Sequence, residues 1–212
     1  MVQELINQRE IESLFHFTTN KGCLGVLATG SLKARSLLAE DKALAHILQM
    51  NAMDRSRDAR WHGYVNLSIS RINSSFFRVC SDKWHQDKDF WWCALELSAE
   101  LMTHDGVYFT TTNNMYSGVN RCQGSRGLEA LFSTPIVHWG NNKVNRPAGL
   151  APRFTTCEQA EVLYPEQIST DYIKAIYVRE AEHCDEVAGQ ISGVFHRNVD
   201  IILRPEIFEP TK

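Results

Sequence analysis

The sequence predicts an α+β fold. Three observations carry that prediction. Short stretches alternate apolar and polar residues at the period of a strand, amphipathic stretches at helical spacing lie among them, and the two kinds do not alternate as a regular βαβ repeat. With 212 residues and 43% hydrophobic composition, the chain can fill one core, so one domain over residues 1–212 is expected.

A short polar helix opens the chain. LFHFTT (14–19) is a compact strand with Leu14, His16 and Thr18 on one face. In NKGCLGVLATG, Leu24, Leu27 and Ala28 recur at helical spacing, Thr19 or Asn20 supplies an N-cap and Gly30 a C-terminal stop. Residues 38–54 read as a further helix with Leu44, Ile47, Leu48 and Met50 as its apolar stripe. YVNLSIS (64–70) sets Val65, Leu67 and Ile69 against Tyr64, Asn66, Ser68 and Ser70, the pattern of a half-buried strand. Strands follow in FWWCALEL (90–97) and GVYFTT (106–111), and the Asn/Gly-rich TNNMYSGVNRCQGSRG reads as irregular. GLEALFS reads as a turn or more of helix, and residues 139–153, rich in Gly and Pro, as a loop. IKAIYV (173–178) is a strand, AEHCDEVAGQI a helix and VDIILRP (199–205) a last strand.

Composition excludes several classes. The formal charge of −3 does not suit a protein that coats nucleic acid indiscriminately. No window reaches the roughly 18 apolar residues of a membrane span, and MVQELINQREIES has no apolar signal segment, so a cytoplasmic protein without membrane contact is expected. The six cysteines are widely and irregularly spaced, with no C-x-x-C pair, which predicts reduced thiols and no metal. G-x-G-x-x-G, the G-x₄-G-K-[ST] loop, H-E-x-x-H and G-x-S-x-G are all absent.

Polar residues on strand faces remain. CEQAEVLYP (157–165) puts Gln159 and Glu161 on one face of an expected strand and Ala160 and Val162 on the other. A wet edge strand and a polar face turned into a cleft both fit that pattern. His16 and Thr18 offer an imidazole and a hydroxyl, although a satisfied structural histidine fits as well. Asn66 and Ser68 can face the same cleft, and Arg57 is a permanent cation suited to a phosphate or to a surface ion pair. The segment 141–157 carries Lys143, Arg146 and Arg153 and no acid. A Gln-x-Glu strand behind such a loop suits substitution at a sugar carbon, where a carboxylate favours developing positive charge.

These blocks resemble the DarT-type DNA ADP-ribosyltransferases. HFTTNKGCLGVLATGSL is similar to their first strand and helix, DRSRD and YVNLSISRIN to their arginine segment and next strand, GVYFTTTNN to a later strand and Asn turn, and CEQAEVLYPEQISTDYIKAIYV to their terminal signature; the likeness runs over about residues 14–180. The resemblance implies a split β-sheet core with peripheral helices that grips NAD⁺, and transfer of ADP-ribose to a base of single-stranded DNA with release of nicotinamide. It implies a bacterial cytoplasmic toxin, a monomer, partnered by an antitoxin that removes the mark. It assigns Glu161 as catalytic, with Arg57 as the catalytic and pyrophosphate arginine and Arg55 as its competitor. It places His16, Thr18, Asn20, Arg55, Ser68 and Tyr108 on NAD⁺, and Gln159, Lys143, Arg146 and Arg153 on the acceptor. The strand YVNLSIS departs from the aromatic Y-V-P-F-Y-F of the thymine-modifying members, which favours guanine. Transfer to protein or RNA, and a non-catalytic NAD⁺- or nucleic-acid-binding module, are the rival readings.

Overall fold

In YVNLSI every second residue is apolar, and in the computed structural model, which describes residues 1–40, 51–85 and 90–209, those residues go to the core. Val65, Leu67 and Ile69 are buried in β3 (Tyr64–Ile69). β1 (Ser13–Thr19) and β4 (Trp92–Ser98), buried on both faces over most of their length, pair over their full lengths. Around them lie β5 (Tyr108–Thr110), β6 (Arg121–Gln123), β9 (Glu161–Pro165), β11 (Ile173–Val178) and β12 (Asp200–Leu203). The eight strands form one sheet in the order β12-β11-β4-β1-β3-β9-β5-β6, with only β11–β12 parallel. Two small ladders stand apart: β2 (Ser31–Lys33) with β10 (Gln167–Ser169), and β7 (Ile136–Val137) with β8 (Lys143–Val144).

Helices cover both faces. Leu14, Leu67, Leu95, Leu97, Val162 and Ile176 form one cluster with residues of α1 (Val2–Gln8), α2 (Asn20–Thr29), α5 (Gly124–Ala130) and α6 (Ala181–Gly193). Phe15, Phe17, Trp92, Ala94 and Tyr177 form the other with Phe77 of α4 (Ser74–Arg78) and with Phe208. Thr19 caps α2 by accepting from the Gly22 amide at 3.1 Å, and Gly30, at φ 65°, ends it. The six cysteines are free thiols, and no helix among the described residues is long and apolar enough to cross a membrane.

The central joint decides where a ligand can sit. Ladder pairing between β1 and β3 is confined to Leu14↔Ile69 and Phe15↔Ser68, and beyond Phe15 the strands part. The sheet is thus two four-stranded halves hinged at one short contact. Parting strands strand their facing backbone groups, which must find other partners. Ser13 O accepts from Ser70 N, so the alternate carbonyls of β1, including Phe17 O, point toward β3. Phe17 O accepts from the Asn51 side chain at 2.6 Å, and Asn66 O on β3 accepts from His16 Nδ1 at 3.0 Å. Side chains replace the missing ladder and hold the gap open.

Five expectations are corrected, the first of them in part. Residues 41–50, with the Leu44, Ile47, Leu48 and Met50 stripe, lie outside the described residues; α3 spans Arg35–Glu40, and residues 51–55 are not helical. The irregular Asn/Gly stretch ends in β6 and α5, and the loop 139–153 holds β8, because short ladders of two or three residues leave too little alternation to read. β9 begins at Glu161, so Gln159 lies in the preceding turn rather than beside Glu161 on a strand face. Nor is β9 an edge: it is paired with β3 on one side and β5 on the other.

The α5 contact yields a test of the packing. A Cβ on Gly127 would lie 2.2 Å from the Cys122 carbonyl oxygen and 3.0 Å from the Phe109 ring. Gly127→Ala is expected to destabilise the fold by roughly 1–3 kcal/mol through overpacking, read as a lowered thermal midpoint. An unmoved midpoint would contradict this close approach.

Candidate active site

The gap between the two halves is a cleft with about 1150 Å³ of empty space, part of it continuous with solvent. His16, Phe17 and Thr18 line it from β1, Asn66 and Ser68 from β3, and Glu161 from β9. Because the walls are separated strand ends, residues from both faces of the sheet reach the same space.

Glu161 faces Ser68 across the ladder and is only 7% exposed. Burial of its carboxylate raises the pKa to about 7, although neighbours pull it down, chiefly the Asn114 amide, which donates to Oε2 at 2.7 Å, the charge of Arg55, and the Asn66 side chain. Asp58 acts the other way, as a second anion nearby. Such a group changes charge near neutrality, as a carboxylate must if it is to hold and release a proton there.

The arginine question has a geometric answer. Arg55 lines the cleft; its Nε donates to both Asp58 carboxylate oxygens, at 2.9 and 2.8 Å, and its Nη1 to Asn66 Oδ1 at 3.2 Å. The i,i+3 pairing with Asp58 is made within the 3-10 segment Ser56–Trp61 and its N-cap, which aims Arg55 inward. Arg57, the arginine preferred from sequence, points elsewhere and lies over the exposed ring of Trp139 at 5.2 Å. For a group inside the cleft the preference for Arg57 over Arg55 is reversed.

His16 is half-buried, and the loss of water around its ring lowers its pKa. Its Nδ1 meets a carbonyl, which can only accept, so Nδ1 carries the proton and Nε2 is left to accept from Asn51 Nδ2 at 3.4 Å. Thr18 donates to Asn51 Oδ1 at 3.4 Å. A neutral, doubly held imidazole is therefore a fixed wall of the cleft.

The remaining assignments divide. Ser68 and Thr18 line the cleft as expected. Asn20 does not appear among its lining residues and donates to Glu186 of α6 at 3.0 Å. Tyr108 packs edge-on to Trp61 and Tyr64, of which only Tyr64 reaches the cleft wall. Arg146 is occupied by its own loop, donating to the carbonyls of Leu150, Ala151 and Phe154, which leaves little of its fork for a ligand. Arg153 stacks on Phe154 at 4.9 Å, and Lys143 is exposed on β8. Gln159 accepts from the Tyr116 hydroxyl at 2.8 Å and meets His138 at 3.2 Å.

Sequence reasoning missed Asp58, Asn114, Arg121 and Asn51. Arg121 donates to Asn114 Oδ1 at 2.6 Å and to its carbonyl, and Asn114 Nδ2 reaches Asp58 at 3.3 Å, so two acids and two arginines close a partly buried network beside the cleft. The TTTNN turn was the available signal for Asn114. Away from the cleft lining, Glu180, Glu182 and His183 bring metal-type donor atoms within 4.8 Å of one another, with both carboxylates exposed.

Comparisons with known proteins agree with this fold. The family model of "ssDNA thymidine ADP-ribosyltransferase, DarT" matches residues 15–209. Among solved structures, Thermus sp. 2.9 DarT in complex with ADP-ribosylated ssDNA is 17% identical with a TM-score of 0.68, covering 94% of this chain and 97% of that one. The same protein in complex with carba-NAD⁺ is 16% identical, TM-score 0.67, covering 94% and 99%. Thermosipho africanus DarTG in complex with ADP-ribose is 16% identical, TM-score 0.62, covering 93% of this chain and 51% of that one. No curated protein matched the chain. A family match over nearly the whole length, on a split sheet whose cleft holds a carboxylate, an arginine and an imidazole, places this chain in the DarT family of single-stranded-DNA ADP-ribosyltransferases.

Proposed function

We propose that the chain moves ADP-ribose from NAD⁺ onto a guanine of single-stranded DNA and releases nicotinamide. One domain, residues 1–212, carries both the donor and the acceptor site. The observation that carries the reading is Glu161: a buried carboxylate with a pKa of about 7, in a cleft whose walls also hold Arg55 and His16.

The cleft residues suit NAD⁺. Lys21, Lys33, Arg35 and Arg55 put cationic side chains along the walls, which complements a pyrophosphate. Tyr64, Phe17 and Phe76 add ring surface. In the reaction the bond between ribose C1′ and the nicotinamide nitrogen breaks, and its electron pair leaves with neutral nicotinamide. Ionised Glu161 stabilises the positive charge that grows on the ribose. The acceptor nitrogen then bonds to C1′ and gives up a proton, which the carboxylate is placed to take. Arg55 holds the donor's phosphates, and neutral His16 gives a wall that does not repel a cationic sugar. A single strand presents its bases without an unpairing cost.

Guanine is favoured by β3, where Ser68 stands on the cleft side at a position that is aromatic in Y-V-P-F-Y-F. Thymine is the second reading, favoured by the family's description. We further infer a toxin of the bacterial cytoplasm, acting as a monomer away from membranes and opposed by an antitoxin that removes the mark. Thermosipho DarTG supports that inference, since this chain covers only about half of it.

The test is labelled NAD⁺ with matched acceptors. Label is expected on single-stranded DNA and is expected to vanish when guanine is omitted. Label that persists without guanine and vanishes without thymine would establish the second reading. Label on RNA or protein alone would refute the DNA assignment.

A further inference from the structure

Trp139 opens the turn of the β7–β8 hairpin and keeps 50% of its surface in water. A lone exposed aromatic is ordinary. This one is braced. The Arg57 guanidinium lies over its ring at 5.2 Å, and the Tyr116 ring meets it at 5.2 Å and 63°. The hairpin turn is closed by His138 N donating to Asn142 O at 2.7 Å, with Gly140 at φ 64°. A Cβ on Gly118 would come within 2.9 Å of Val137, so the turn after Tyr116 lies hard against the hairpin.

The braced indole is also tied to the chemistry. Tyr116 donates to Gln159, and His138, whose ring packs on Tyr116 at 5.1 Å, meets the same amide. Gln159 lies two residues before Glu161. Burial raises the Tyr116 phenol's pKa and the Glu161 charge adds to the rise, so the ring is within electrostatic reach of the carboxylate.

The surroundings favour an anion. From Ala130 to Cys157 the chain has no acidic residue, and Arg57 and Lys143 are exposed beside the turn. Asp54, close to Arg57, is turned to its own backbone and accepts from Ser56 N and Oγ. A half-exposed indole with a guanidinium over its ring and an exposed lysine in the same hairpin matches a strand of stacked bases joined by phosphates.

We propose that Trp139, braced by Arg57 and Tyr116, stacks on a base of the acceptor strand adjacent to the base being modified. The platform rests on the reading of the cleft as a site of transfer to single-stranded DNA. Every base has a π face, so the contact holds the strand without reading its sequence, and Arg57 is placed for the neighbouring phosphate.

The test is a cycle between protein and strand. Affinity for a labelled single-stranded oligonucleotide is measured by fluorescence anisotropy with the parent protein, Trp139→Ala and Trp139→Phe. Strands are intact or carry one abasic position, walked along the sequence. Trp139→Ala is expected to weaken binding of the intact strand about tenfold, in line with loss of one stacked base, and Trp139→Phe to recover most of it. One abasic position should cost the parent the same factor and cost Trp139→Ala nothing more. Parent-like binding by Trp139→Ala, or a penalty that adds to that of every abasic position, overturns the platform alone. A parent protein that modifies no single strand overturns the functional reading and the platform with it.

Discussion

Glu161→Gln is expected to lower ADP-ribose transfer by about 10²- to 10⁴-fold, the range for removing a group that handles charge and a proton at the reacting centre. The same change is expected to stabilise the fold above neutral pH. In the folded chain the Glu161 pKa, about 7, lies above its ordinary 4.5, so the folded state binds this proton more tightly than the unfolded one. Below pH 4.5 the group is neutral in both states and carries no penalty. Between 4.5 and 7 the unfolded chain ionises first and stability falls, and above 7 the whole penalty is present. That penalty is on the order of 3 kcal/mol. Glutamine removes the charge and keeps an oxygen for the Asn114 amide at Oε2. Denaturant midpoints should show the variant's gain in full at pH 8, above the folded pKa, and only a small part of it at pH 5, near the lower end of the 4.5–7 window. Retained transfer would remove Glu161 from the mechanism, and a loss of stability at the higher pH would contradict its buried charge.

Arg55→Gln is the second large effect, and it separates into two parts. Asp58, with its side chain 1% exposed, would be left as a buried anion without its cation, at a cost of roughly 3–5 kcal/mol. Transfer should fall about 10²-fold as well, because the cation aimed into the cleft is gone. Adding Asp58→Asn is expected to restore much of the stability and little of the transfer. The pH profile gives an independent reading. The ionised carboxylate is the working form, so activity drops about tenfold per unit of pH below its pKa. Arg55 holds that pKa down, so its removal should carry the acidic limb of the profile above 7. Arg57→Gln should leave the limb nearly in place, since Arg57 is not among the main influences on Glu161. A limb that moves with Arg57 and not with Arg55 would reverse the assignment of the two arginines.

Much of the frame was legible in the linear order of residues. Val65, Leu67 and Ile69 announced a half-buried strand, and Thr19 and Gly30 announced the ends of α2, because period and capping act within a few residues of chain. His16, Thr18, Ser68 and Glu161 were candidates on the same grounds, as polar side chains where a strand should bury apolar ones. Gln159 was misplaced because strand ends are set by partners: β9 finds its ladder with β3 and β5 only from Glu161 onward. Arg146 was read as a free cation because nothing local reveals that three carbonyls of its own loop would enclose it.

By itself, the order of residues determined the longer strands, the caps of α2, the family blocks and the presence of an acid, an imidazole and arginines suited to handling a dinucleotide. Tertiary structure alone decided which of them meet. The parting of β1 from β3 opens the cleft, Asn51 and His16 satisfy the carbonyls it frees, and burial moves Glu161 toward neutrality. It also turned Arg55 inward onto Asp58 and Arg57 outward onto Trp139. The reason is physical: periodicity and capping are short-range, whereas desolvation and charge pairing are set by what lies across a gap between segments far apart in the chain.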